Sequence, residues 1–179
     1  MDEKPEVAQR LAPERGPGFA RGGRLLVVCA VLAGCIACDR GTKELALARL
    51  PEGQRISLLG DTVRLEHARN TGGFLGLGGT LPAGARTVVF TLGAGGMSLA
   101  ALYLALRRSA TLRMAIGWTL VGAGGLGNLW DRLATGGWVT DFLNVGVWRL
   151  RTGIFNVADV AIMAGLALLL LGSRGADRG

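Results

Sequence analysis

The chain has 179 residues, half of them hydrophobic, with 30 glycines, a positive mean hydropathy and a formal net charge of +7. That balance excludes an ordinary soluble globule and points to a small polytopic membrane protein built as one unit. The basic residues are spread over tails and short loops without interleaved aromatics, which argues against nucleic acid and for contact with anionic lipid headgroups.

Residues 1–24 are polar, carry Pro5, Pro13 and Pro17, and read as a mobile cytoplasmic tail. The first apolar stretch, Leu25 to Ala37, reaches spanning length only if its helix continues through Asp39 and Lys43 to about Leu50, where Pro51 ends it. Asp39 and Lys43 stand at i, i+4 in the acidic-first order, suited equally to a structural ion pair or to a substrate-facing role. Cys29, Cys35 and Cys38 fall in the same stretch and have no second ligand pair, and the one histidine, His67, lies far along the chain, so no metal site is expected. Leu32-Ala33-Gly34-Cys35 has the form of a lipobox after Arg21 and Arg24. Cleavage there would make the chain a lipoprotein itself, but would put Asp39 and Lys43 beside the anchor.

An outer loop over residues 51–84 follows. Within it Arg55-Ile56-Ser57-Leu58 and Val63-Arg64-Leu65-Glu66-His67 alternate around Gly60-Asp61, the pattern of a short hairpin. Gly72, Gly73, Gly76, Gly78 and Gly79 then give a flexible or tightly turned segment. Thr87 to Leu106 carries no charge and has the length of a bilayer span. Arg107, Arg108 and Arg113 form a basic turn before a third span, Met114 to Leu129, in which Gly122, Gly124, Gly125 and Gly127 permit close helix packing. Asn128 and Arg132 share a face at its end, whereas Asp131 reads as a residue that finishes the helix at the headgroups.

A second outer loop, 134–153, mixes apolar and polar residues between glycines, which suggests short strands against the membrane with Trp138 and Trp148 at the interface. The fourth span, Ile154 to Leu171, is apolar except for Asn156 and Asp159, which on a helix would lie on one face with Asp159 about five residues in, roughly 7 Å deep. A short cytoplasmic tail, 173–179, ends the chain. The fold class is therefore mainly α: four transmembrane helices with a small extracytoplasmic β-containing region, one domain over residues 25–172. The positive-inside rule puts the arginine turn and both termini in the cytoplasm. Asp39, Asp131, Arg132, Asp141 and Asp159 then collect toward the outer face.

An ionisable side chain held near lipid is costly and marks a functional site. Two carboxylates brought together can share one proton and activate a water, so Asp141 and Asp159 are the candidate catalytic pair. Asn156 could orient a carboxylate or a substrate carbonyl, and Arg132 could bind backbone carbonyls or steady a carboxylate. Buried carboxylates also serve proton-coupled transporters, and a packing scaffold would account for the glycines, although not for polar residues gathered at one level.

Five blocks, Asp39-Arg40-Gly41-Thr42-Lys43, Asn70-Thr71-Gly72-Gly73-Phe74, Gly125-Leu126-Gly127-Asn128-Leu129-Trp130-Asp131-Arg132, Val139-Thr140-Asp141-Phe142 and Phe155-Asn156-Val157-Ala158-Asp159, resemble in order and context those of lipoprotein signal peptidase, also called signal peptidase II. The resemblance covers residues 25 to 172. It implies a bacterial cytoplasmic-membrane aspartyl endopeptidase acting on diacylglyceryl-modified prolipoproteins, open to globomycin-like cyclic peptide inhibitors, with no metal or organic cofactor. Asp141 and Asp159 match its catalytic pair. Asn128, Arg132, Asn156, Asn70, Asp39 and Lys43 match positions that support the site or hold substrate. The chain departs from the pattern at Gly73-Phe74-Leu75-Gly76 and in a slightly longer stretch between Arg132 and Asp141.

Overall fold

A computed structural model of the protein describes residues 21–51, 53–72, 81–107 and 109–173. Four helices and four strands follow one another: α1 (Arg21–Arg49), β1 (Arg55–Leu58), β2 (Val63–Asn70), α2 (Ala83–Leu106), α3 (Leu112–Thr135), β3 (Val139–Val147), β4 (Leu150–Arg151) and α4 (Val157–Ser173). The glycine-rich segment 73–80, the residues before Arg21 and those after Ser173 lie outside the described residues, and with them the departure at Gly73 to Gly76.

Polarity is distributed the opposite way from a soluble protein. Leu26, Leu92, Met97, Leu99, Leu170 and Leu171 are exposed on the helices, while the interior holds alanines such as Ala101, Ala105, Ala115 and Ala158 together with Asp39, Lys43, Asp131 and Asn156. Large apolar side chains turned outward on long helices suit a hydrocarbon solvent. By length and composition, two helices can cross a bilayer, Gly22–Arg49 and Gly84–Leu106, and Val157–Leu171 is a shorter apolar helix.

α3 is the central helix and touches each of the other three. Its glycines make this possible. A Cβ on Gly122 would meet Leu102 of α2 at 2.8 Å, one on Gly124 would meet Ile162 of α4 at 2.7 Å, and one on Gly127 would meet the Asp39 carboxylate of α1 at 2.7 Å. Glycines on three faces thus admit three neighbours at backbone range. At the far end of the bundle, the Arg24 guanidinium donates to the carbonyls of Arg107 and Ala110, fastening the start of α1 to the α2–α3 turn.

The expected hairpin around Gly60-Asp61 is present, and the second outer loop also forms strands. The sheet is antiparallel in the order β1-β2-β3-β4. Gly60 and Asp61 both have positive φ, 62° and 70°, as the centre of a tight hairpin turn demands. The sheet rests on the end of the bundle through Phe142, Leu65 and Leu143, which pack with Ala46, Leu50 and Val157.

Two expectations are corrected at the helix starts. Among the described residues α1 already includes Arg21 to Arg24, inside the stretch read as tail, and Arg24 finds carbonyl partners on the neighbouring turn. α4 begins at Val157 and not at Ile154: the Phe155 carbonyl accepts from the amides of Phe142 (3.0 Å) and Leu143 (2.8 Å), so this segment is committed to β3. The lipobox-like Leu32–Cys35 sits within the continuous helix α1.

Candidate active site

Three devices bring Asp141 and Asp159 together. The first is a bulge. Val63 to Leu65 pair with Val145 to Leu143, but Ala68 pairs with Asp141, so β2 carries one extra residue opposite Phe142. Such a bulge bends a strand and re-aims its side chains. Beyond it Asn70, at the end of β2, donates from Nδ2 to Asp141 Oδ2 at 3.0 Å.

The second is the cap of α4. Asn156 is the residue before the helix, and its Oδ1 accepts from the Asp159 amide at 3.0 Å while Asp159 Oδ2 accepts from the Asn156 amide at 3.3 Å. This is a reciprocal capping box, with Asn and Asp in the places usually taken by Ser or Thr and Glu. The sequence places both residues on one face within a helix, with Asp159 about five residues into the span. Asp159 instead stands in the first turn, and the pair meets through the cap.

The third is a pair of asparagine amides between the acids. Asn156 Nδ2 donates to Asp141 Oδ1 at 2.6 Å and to Asn128 Oδ1 at 3.1 Å, and Asn128 Nδ2 donates to Asp159 Oδ1 at 2.9 Å. Each amide oxygen is held by an N–H that cannot reverse its role: the Asp159 amide for Asn156, the Gly72 amide for Asn70 (3.0 Å) and the Lys43 ammonium for Asn128 (3.2 Å). Their NH2 groups must therefore face the carboxylates. Asp141 is 2% exposed. Burial first, and then the negative charge of Asp159, push the Asp141 carboxyl up to about 7, against the opposing hydrogen bonds of Asn70 and Asn156.

Beneath the pair lies a charge cluster with two acids and two bases. Lys43 Nζ is 2.8 Å from Asp39 Oδ2 and 2.9 Å from Asp131 Oδ2, and Arg40 Nη1 reaches Asp131 Oδ1 at 2.6 Å. Lys43 is 1% exposed, and these carboxylates offset the cost of burying its ammonium group. The cluster also grips the segments that carry Asp141 and Asp159 by their backbones. Asp39 Oδ1 accepts from the Ala158 amide (2.9 Å), at the positive end of α4, and Asp131 Oδ2 accepts from the Thr140 amide (3.1 Å), next to Asp141.

Asp131 was read from sequence as a helix end in the headgroup region. It is buried and central, and Arg40 was not singled out at all. The available signal was spacing, since Asn128, Asp131 and Arg132 stand at i, i+3 and i+4 and so share a face. Arg132 takes the backbone alternative: Nη1 donates to the Asn128 carbonyl (3.1 Å) and Nη2 to that of Gly72 (2.8 Å), with the guanidinium over Phe90. It thereby ties the segment after Asn70 to α3. All eight residues singled out for the site, Asp141, Asp159, Asn128, Arg132, Asn156, Asn70, Asp39 and Lys43, thus join one network of side chains and backbone groups.

The family model described as signal peptidase (SPase) II matches residues 31–174. The chain belongs to this family. It is an enzyme, an aspartic peptidase. A lipoprotein signal peptidase of Mycobacterium avium (strain 104) is 37% identical over 153 residues, 83% of this chain and 79% of that protein. One from Leifsonia xyli subsp. xyli is 33% identical over 184 residues, 92% of this chain and 81% of that protein. A bacterial membrane enzyme solved by the in meso method at 2.3 Å has the same fold, with a TM-score of 0.72 at 23% identity over 90% of this chain and 93% of that one.

Proposed function

We propose that this signal peptidase II removes the signal peptide from diacylglyceryl-modified prolipoproteins by activating water between Asp141 and Asp159. The observation that carries the reading is the Asn156 and Asn128 bridge, which links the two carboxylates through hydrogen bonds and leaves them one shared environment. A water held by both would lose a proton to the ionised carboxylate as its oxygen attacks the scissile carbonyl carbon. The protonated partner would hydrogen-bond the carbonyl oxygen. Collapse of the tetrahedral intermediate breaks the C–N bond as the leaving nitrogen takes a proton, giving a new carboxylate and a free amine. The pair titrates as a unit, one proton shared between two acids.

Four spans fit this chemistry. With the arginine turn and both termini in the cytoplasm, the carboxyl pair lies at the outer face, the sheet lies in the extracytoplasmic space, and lipid surrounds the outward-facing leucines. Asn128, Arg132, Asn156, Asn70, Asp39 and Lys43 support the site or hold substrate, and a globomycin-like cyclic peptide would compete with substrate at the carboxyl pair. The scaffold and transporter alternatives leave the polar network without a use, whereas hydrolysis uses it fully. Purified protein incubated in detergent with lipidated and unlipidated precursors should cleave only the lipidated form. Equal cleavage of both, or of neither, would overturn the substrate assignment.

A further inference from the structure

The end of the sheet opposite Asp141 carries apolar side chains that no described residue covers. β2 runs from Val63, beside Val145, to Asn70, beside Val139, so the β1–β2 and β3–β4 turns share one end of the sheet and the catalytic segment the other. Gly146 donates to the Thr62 carbonyl at 2.9 Å and Arg151 to that of Asp61 at 2.8 Å, binding the two turns into one tip. On that tip Trp148 is 90%, Leu150 85% and Leu59 80% exposed.

Two of these residues hold a backbone conformation that their side chains disfavour. Leu59 has φ 50° and Trp148 φ 55°, the left-handed region where glycine or asparagine is usual. Both residues stand in tight turns of the sheet, and both leave a large apolar side chain exposed, the kind of presentation that marks an interaction surface. The tip is also basic: Arg64, Arg149 and Arg151 stand beside the two turns against Asp61, and Arg149 directly follows Trp148.

We propose that the joined hairpin tips, led by Leu59, Trp148 and Leu150, insert into the outer leaflet as an interfacial anchor, with Arg149 at the level of anionic headgroups. Val147 lies six positions beyond Asp141, a lateral reach of roughly 20 Å at strand rise. Because Phe142 and Leu65 pin the inner end of the sheet to the bundle, an anchored outer end lays the sheet along the membrane surface. Aromatic and aliphatic residues flanked by arginine suit that depth, since the ring and chains enter the acyl boundary while the guanidinium stays with phosphate. The carboxyl pair would then sit under a roof held level with the lipid. This inference rests on the membrane-spanning reading of the helices and is independent of the carboxylate chemistry.

Tryptophan fluorescence tests it. Trp118, Trp130 and Trp138 are replaced by Phe in the full chain, leaving Trp148 as sole emitter, and the protein is placed in nanodiscs of phosphatidylcholine and phosphatidylglycerol brominated along the acyl chains. The anchor predicts that bromine near the headgroup quenches Trp148 more than bromine deeper in the chain, and that aqueous acrylamide quenches it less than it quenches free tryptophan. A companion variant keeping only Trp118 of α3 reports on the span. Trp148 unquenched by bromine and open to acrylamide, with Trp118 quenched, would overturn the anchor and leave the span standing; neither residue quenched would overturn both. If the triple variant does not fold, the difference in bromine quenching between wild type and Trp148→Phe gives the same answer, and no difference refutes the anchor.

Discussion

Asn156 performs three functions with one amide. Its oxygen caps α4, its NH2 holds Asp141, and the same NH2 meets Asn128, which holds Asp159. Removing a capping side chain costs about 1 kcal/mol, whereas losing a donor aimed at a reacting group costs on the order of 10²-fold in rate. Asn156→Ala should therefore lose activity far more than stability, measured by turnover and thermal melting on the same preparation; proportional losses would reduce the residue to a cap. Asp141 makes a separate prediction from pH. Its carboxyl is raised from 3.8 to about 7 in the folded site, so the native state holds a proton across that window that the unfolded chain has released. Stability must fall as pH rises through the window and level off above it. The melting temperature should decline between pH 5 and 8, Asp141→Ala should flatten the slope, and wild-type activity should fall above about pH 7 as the pair loses its shared proton.

At the scale of elements, the helices were legible in the sequence because glycine, proline and hydropathy mark them directly, and Pro51 closes α1 where expected. The start of α4 was not legible. Ile154 and Phe155 are as apolar as the helix that follows, and only the pairing of Phe155 with β3 decides that they are strand-like. Asp131 was misread for a related reason: its partners Lys43 and Arg40 come from a helix some ninety residues earlier, so nothing local in the sequence reveals their meeting. Breaking a buried pair by deleting one partner typically costs about 3–5 kcal/mol. Asp131→Ala should destabilise the protein by that order and disorder β3 near Thr140, read as lost amide protection there; a change below about 1 kcal/mol would show the cluster to be dispensable. Packing gives a cleaner test. Gly124 lies against Ile162 and the Ala158 carbonyl, so Gly124→Val should force α3 and α4 apart and sharply lower the melting temperature, while Gly34→Val, where an added Cβ meets nothing, should not.

For the whole molecule, the organising fact is an inverted polarity, with most of the large leucines and methionines of the helices outside and alanine and paired charge inside. Composition alone pointed to a membrane protein, and the resemblance of five short blocks singled out eight residues that the fold brings into one network. Neither could show how the parts connect. The bulge between Leu65 and Ala68, the capping box at Asn156 and Asp159, and the buried Lys43 that joins α1 to Asn128 and Asp131 of α3 are products of tertiary contact. Together they hold two carboxylates from a strand and a helix start in one network, and the central claim is that this pair shares a proton and a water. The most direct measurement is turnover of a diacylglyceryl prolipoprotein by purified Asp141→Asn and Asp159→Asn variants with wild-type melting behaviour. Each should lose roughly 10²–10⁴-fold or more of its rate, since each removes one half of the acid–base exchange. Near-wild-type turnover by either folded variant would contradict the account.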